Sequence, residues 1–207
     1  MKGMFGADFR RVDQREYQGK PAVVVVAVRS YPTSVEDLWN AVTKPDRLAR
    51  WFSTVEGDLK LGGRYRIKGN AEGTITRCDE PQALDLTWEF GGGTSWVTVR
   101  LAARGEATQL TLEHIVRASD ADEHWKTYGP GAVGVGWDLS LVGLGLHLES
   151  GGSFDPQAGM AWAASDEGKR FMRTSAAAWA DAHIAGGEDE AVARGMADRT
   201  AAFYTGG

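Results

Sequence analysis

Between residues 22 and 28 the chain reads Ala-Val-Val-Val-Val-Ala-Val, an almost unbroken β-branched run. Such a run predicts a strand buried on both faces. A second extended run, Phe9 to Tyr17, precedes it across the turn-like spacer Gln18-Gly19-Lys20-Pro21. Together they predict a hairpin of residues 9–17 with 22–31. The rhythm then becomes helical. Pro32-Thr33-Ser34 opens a segment in which Val35, Leu38, Trp39 and Val42 recur at helical spacing, with Ser34 placed to cap it and Asp37 three residues on. Lys44-Pro45-Asp46 ends that helix and starts a short second one, Asp46 to Phe52.

From Asp58 the period falls to two, punctuated by glycine. Leu84, Leu86, Trp88 and Phe90 alternate with Asp85, Thr87 and Glu89, the pattern of a half-buried strand. Residues 64–68, 74–78, 95–102 and 108–116 read as further strands. The short turns Gly69 to Gly73, Gly91-Gly92-Gly93 and Arg104-Gly105-Glu106 between them predict an antiparallel meander. Residues 120–131 read as an irregular acidic loop.

The long apolar segment Ala132 to Glu149 predicts a helix with two stripes. Trp137, Leu141, Leu144 and Leu148 form one; Val135, Leu139, Val142 and Leu146 form the other. A helix apolar on most of its circumference needs cover on more than one side. The sheet covers the first stripe. For the second we expect two tail helices, about 166–184 and 188–204, packing through Phe171, Met172, Trp179, Val192, Met196 and Phe203. The rival is that this stripe forms a homodimer contact and leaves the tail mobile. Glycines at 134, 136, 143 and 145 weaken the helix by up to about 1 kcal/mol each, so tertiary support is required, and they let another backbone approach closely. We read residues 1–150 as one domain, with 151–207 a helical extension packed on it.

Composition narrows the function classes. The 207 residues carry 23 basic and 28 acidic side chains, a net charge of −5. That balance argues against a nucleic-acid or anionic-membrane surface. One cysteine, Cys78, excludes an intramolecular disulfide and a multi-cysteine zinc cluster. The charged residues between Lys2 and Lys20 leave no apolar signal-peptide core, and the apolar stretch 132–148, interrupted by Asp138, Ser140 and His147, falls short of a clean membrane span. The expectation is a soluble, cytoplasmic chain.

Several words of the sequence, in order, carry a family likeness. They are Pro32-Thr33-Ser34-Val35-Glu36-Asp37-Leu38-Trp39, Thr43-Lys44-Pro45-Asp46, Arg50-Trp51-Phe52, Gly57-Asp58-Leu59 and Gly62-Gly63-Arg64-Tyr65, followed by Gly73-Thr74-Ile75, Leu86-Thr87-Trp88-Glu89, Thr108-Gln109-Leu110-Thr111-Leu112-Glu113-His114 and Gly136-Trp137. From about residue 22 to 149 the chain resembles the START-related helix-grip (SRPBCC) superfamily. The branch it resembles is similar to the activator of the heat-shock chaperone ATPase and is often labelled polyketide cyclase-like. The resemblance implies an α+β fold, a curved antiparallel sheet gripping the long helix with an apolar cavity between them. It implies little about activity, since fold does not fix function.

Eight tryptophans stand at 39, 51, 88, 96, 125, 137, 162 and 179. Trp88 and Trp137 belong to the sheet face and helix stripe that should meet, and Trp51 and Tyr65 should flank the mouth of the same space. Simple core packing explains such aromatics; lining a ligand cavity is the sharper reading. On that reading Trp51, Tyr65, Ile67, Trp88, Val99, His114, Trp137 and Leu141 line it. His114 shares parity with Leu110 and Leu112 and so points inward, either as a satisfied structural histidine or as a general acid–base with Tyr65 as hydrogen-bond donor. His114 and His124 each follow a glutamate, but their spacing makes no metal array, so neither metal nor cofactor is expected. Gly91-Gly92-Gly93 joins two strands and lacks a following Lys-Ser/Thr, so it is no phosphate cradle, and no Gly-x-Ser-x-Gly elbow occurs. The functional expectation is binding of a small apolar or amphipathic molecule. A cyclase- or dehydratase-type enzyme and a co-chaperone-like protein-binding module are the alternatives.

Overall fold

The structure is a computed structural model, which describes residues 6–121, 123–153 and 155–207, with the side chain of Pro156 left aside. The reading of the charged N-terminus therefore begins in residues 1–5, outside the described residues, and Asp122 of the acidic stretch lies outside them too.

Strand β1 (Phe9–Tyr17) pairs antiparallel with β2 (Lys20–Tyr31). The spacer is shorter than expected: Tyr17 pairs with Lys20, leaving Gln18 and Gly19 as a two-residue turn with φ of +52° and +73°. Turns with two positive φ values match strand twist and so close hairpins tightly. Helices α1 (Val35–Thr43) and α2 (Pro45–Trp51) follow. Ser34 Oγ accepts the Asp37 N–H at 3.2 Å, and Pro45 opens α2 where its missing N–H costs nothing. The meander runs β3 (Val55–Gly57), β4 (Arg64–Ile67), β5 (Glu72–Asp79), β6 (Ala83–Phe90), β7 (Gly93–Arg104) and β8 (Ala107–Arg117). Among the described residues all eight strands join one antiparallel sheet, order β1-β2-β8-β7-β6-β5-β4-β3.

Strand β2 is buried on both faces, as its composition requires. Val25 and Ala27 join the main core, while Val24 and Val26 pack with Trp96 and Ile115 on the outer face. Arg117 lies over the Trp96 ring at 4.2 Å and helps close that face.

The acidic stretch is not a plain loop. A 3₁₀ turn occupies Ala118–Asp120, and helix α3 spans Glu123–Tyr128. Helix α4 (Gly131–Ser150) is a residue longer at each end than the sequence suggests, and Gly151 closes it at φ +64°. At 20 residues it is long and apolar enough by composition to cross a membrane, a correction to its reading as too short. Half of that window is buried inside the protein. The tail holds three helices among the described residues: α5 (Pro156–Ala164), which the sequence reading overlooked, then α6 (Asp166–Ala185) and α7 (Glu190–Thr205).

The stripe toward the sheet is covered as expected, with Leu141 and Leu144 buried. On the other side Val135 is buried in one cluster with Met172, Ala176 and Trp179 of α6, while Val142, also buried, borders a space lined by Ala158, Trp162 and Ala163 of α5. Gly134 is the point of closest approach: a Cβ there would stand 2.4 Å from the Trp179 ring. What the glycine admits is thus an indole. Backbone approach occurs at Gly143, opposite the Trp51 carbonyl. Three tail expectations fail, because Leu146, Val192 and Phe203 remain exposed; α7 turns Ala193 and Thr200 inward instead. A fully buried carboxylate, Asp138, fastens this side. It accepts the Ala7 N–H at 2.7 Å, the Arg10 guanidinium at 2.9 Å, the Trp179 indole N–H at 3.1 Å and the Ser175 hydroxyl.

Candidate functional site

Between the concave sheet face and α4 lies a cavity of about 150 Å³. Strands β4 to β8 supply its floor because residues of one parity share a face: Tyr65 and Ile67, then Leu84, Leu86 and Trp88, then Val97 and Val99, then Leu110 and Leu112. Helix α4 roofs it with Trp137, Ser140, Leu141 and Leu144, and α2 with the residue after it closes the end through Leu48, Trp51 and Phe52.

Of the eight residues the sequence singled out, Trp51, Tyr65, Ile67, Trp88, Val99, Trp137 and Leu141 line this space. His114 does not. It is buried, but it borders a second, smaller pocket of about 120 Å³ beside Ser95, Asp120, His124 and Trp125. It sits close to the end of β8, where the floor has already passed under Trp88, and that indole separates it from the inner space. Cys78, which the sequence did not place in the cavity, lines it opposite Leu84, its pairing partner on β6. The cross-strand pairing would have been the signal for it.

The polar groups of the wall are mostly engaged within the protein. Tyr65 Oη donates to the Thr87 carbonyl at 2.6 Å, Ser140 Oγ to Gly136 O at 2.9 Å and Thr43 Oγ1 to Trp39 O at 2.7 Å. The Trp51 indole N–H donates to Ala41 O at 2.9 Å, which pins that ring at the mouth. Burial, with the Glu89 carboxylate nearby, raises the Tyr65 phenol well above its ordinary range.

His114 is a connected, neutral histidine. An indole N–H can only donate, so Trp137 Nε1 at 3.1 Å requires a bare Nδ1. The proton therefore sits on Nε2, which donates to Ser95 Oγ at 2.8 Å, and Ser95 in turn donates to Trp88 O at 3.3 Å. Burial pushes the imidazole down to about 4. At neutral pH it is not the imidazolium that a general acid would need, its single proton is engaged by Ser95, and its lone pair is already occupied by the Trp137 indole. The arrangement suits positioning of Trp88 and Trp137, whose rings meet edge-on at 5.3 Å, better than proton transfer. Among the described residues no group of three or more His, Cys, Asp or Glu gathers as a metal site would need.

A curved antiparallel sheet closed by two short helices and gripping a long helix defines the helix-grip class. Residues 32–149 match the family described as activator of Hsp90 ATPase homolog 1-like protein, and this chain belongs to that family. Among solved structures, the crystal structure of CalU16 from Micromonospora echinospora is 31% identical, covering 84% of this chain and 96% of that one at a TM-score of 0.69. Its solution NMR structure, also 31% identical, covers 90% and 100% at 0.72. Coverage of 84% of 207 residues exceeds what residues 1–150 alone supply, so the likeness to CalU16 takes in part of the helical tail. DynU16, a protein in the dynemicin biosynthetic locus, is 25% identical over 63% of this chain and 48% of its own, with a TM-score of 0.55. No match is found among curated proteins.

Proposed function

We propose that the chain binds a small, uncharged apolar molecule between the sheet and α4. The observation that carries this reading is the chemistry of the wall. Its side chains are almost all aliphatic or aromatic, and the hydroxyls of Thr43, Tyr65 and Ser140 already donate to backbone carbonyls. A charged ligand would lose its hydration there with little in return. An apolar space of about 150 Å³ has room for a ring the size of benzene, which matches the volume here. The likeness to DynU16, a protein in the dynemicin biosynthetic locus, supports the same reading.

Toluene is a suitable probe, followed by saturation-transfer NMR and thermal denaturation. Saturable binding is expected, with a raised melting temperature, because a ligand of the folded state stabilises it by mass action. Val99→Phe projects a ring into the cavity and should weaken binding by about tenfold or more, at an overpacking cost of roughly 1–3 kcal/mol. Absence of saturable toluene binding to the wild-type protein would overturn the reading.

A further inference from the structure

We propose that Trp88 is the residue that sets the length of ligand the cavity accepts, because its indole is the wall between the inner cavity and the outer pocket. This rests on the reading above that the inner cavity is a binding site. Among the described residues Trp88 alone borders both spaces, with Trp137 on the inner side and His114 on the outer. The three rings form one partition, with centroid separations of 5.3, 6.0 and 6.1 Å.

The members are held unequally. Trp137 and His114 are tied to each other at 3.1 Å, and His114 to Ser95 at 2.8 Å. Trp88 enters through ring contacts, and among the described residues no hydrogen bond engages its indole N–H. Moving or removing the Trp88 ring therefore breaks no side-chain hydrogen bond, while Trp137 and His114 keep the rest of the wall in place. The outer pocket beyond it changes character: Thr94, Ser95, Asp120 and His124 stand beside Phe90 and Trp125. With the partition in place the inner space takes one ring. Without it, the two spaces join into one slot with an apolar inner end and a polar outer end, suited to an elongated, fused-ring molecule bearing a polar group at one end.

The test compares toluene with 1-aminoanthracene, a fluorescent fused-ring probe with one amine, on the full chain. Wild type should bind toluene and bind 1-aminoanthracene weakly. Trp88→Ala should bind 1-aminoanthracene at least about tenfold more tightly, the scale expected from burying further ring surface, so that its preference for the longer probe over toluene rises. Trp88→Leu, a milder opening, should show a smaller gain in the same direction and serves if the alanine variant folds poorly. Leu86→Ala, which enlarges the inner cavity without breaching the partition, should gain no 1-aminoanthracene binding. The proposal is overturned if Trp88→Ala and Trp88→Leu bind 1-aminoanthracene no better than wild type, or if Leu86→Ala gains as much. Failure of toluene to bind wild type strikes the cavity reading alone, since capture of 1-aminoanthracene by the Trp88 variants still decides the partition.

Discussion

Replacing Asp138 by Asn should be among the most damaging single changes outside the cavity. The carboxylate is fully buried, and its attraction to Arg10 is no measure of net stability, because removing two charges from water offsets much of the gain. The cost appears when one partner is removed. Oδ2 receives Arg10, Ser175 and Trp179, while Oδ1 receives the Ala7 N–H. An asparagine has one acceptor oxygen, so its amide must face a donor on one side or the other, and the guanidinium keeps its charge without a counter-ion. Breaking a buried pair in this way costs about 3–5 kcal/mol. For a chain of this size each kcal/mol is worth about 2–4 °C, so the melting temperature should fall by about 6–20 °C at pH 7. Circular dichroism melts of wild type, Asp138→Asn, Arg10→Met and the double variant would measure both the loss and a coupling above about 1 kcal/mol. A melting temperature for Asp138→Asn within about 2 °C of wild type would refute the account of how α4 is anchored.

Burial holds His114 at about 4 when folded against an ordinary 6.5, so as pH falls the unfolded chain takes up the proton first. Wild type should therefore lose up to about 3 kcal/mol between pH 6.5 and 4 that His114→Gln does not lose; parallel stability curves for the two would contradict the buried neutral imidazole. We further propose that residues 151–207 belong to the same folding unit as the helix-grip part. Truncation after Gly152 uncovers Val135 and Val142, about 1.5–3 kcal/mol each, and takes Ser175 and Trp179 from Asp138. It should lower the melting temperature or cause aggregation, and an unchanged melting temperature with an unchanged oligomeric state would sink the idea.

Legibility in the sequence followed the strength of periodicity. The double-sided burial of β2 was written in its valines, and the cavity floor in the alternation of β6 to β8, because a period of two leaves no freedom about which residues share a face. The position of His114 was missed for a geometric reason. Parity sends it to the concave face, but parity says nothing of how far along the strand the cavity extends before the Trp88 indole closes it. Helix α5 was missed because its apolar residues make no stripe, although Asp155 caps it and Pro156 opens it. Phe203 and Val192 were expected inside because they are large and apolar, while α7 docks by the small residues Ala193 and Thr200. The Asp138 network joins Ala7, Arg10, Ser175 and Trp179 across more than 120 residues of sequence, and no local pattern announces it.

The two-sided character of α4 connects the anchoring of the tail to the cavity. A helix with several glycines cannot hold its position by propensity alone, and one that roofs an underfilled space gains less dispersion contact on that side than a close-packed helix does. The deficit falls on the face carrying Trp137, Ser140 and Leu141, where the 150 Å³ lie. The opposite face compensates. There Val135 and Asp138 have no exposure at all, Trp179 fits against Gly134, and the buried carboxylate ties α4 to both the N-terminal segment and α6. The same residues bear on why a helix with the length and composition of a membrane span sits inside this fold. In a bilayer Asp138 would face hydrocarbon or demand a partner from elsewhere; here the chain supplies Arg10 and three further donors. A rigid outer face is therefore what permits a loosely filled inner one. It follows that substitutions at Gly134 or Asp138, neither of which lines the cavity, should loosen the roof over any ligand held there.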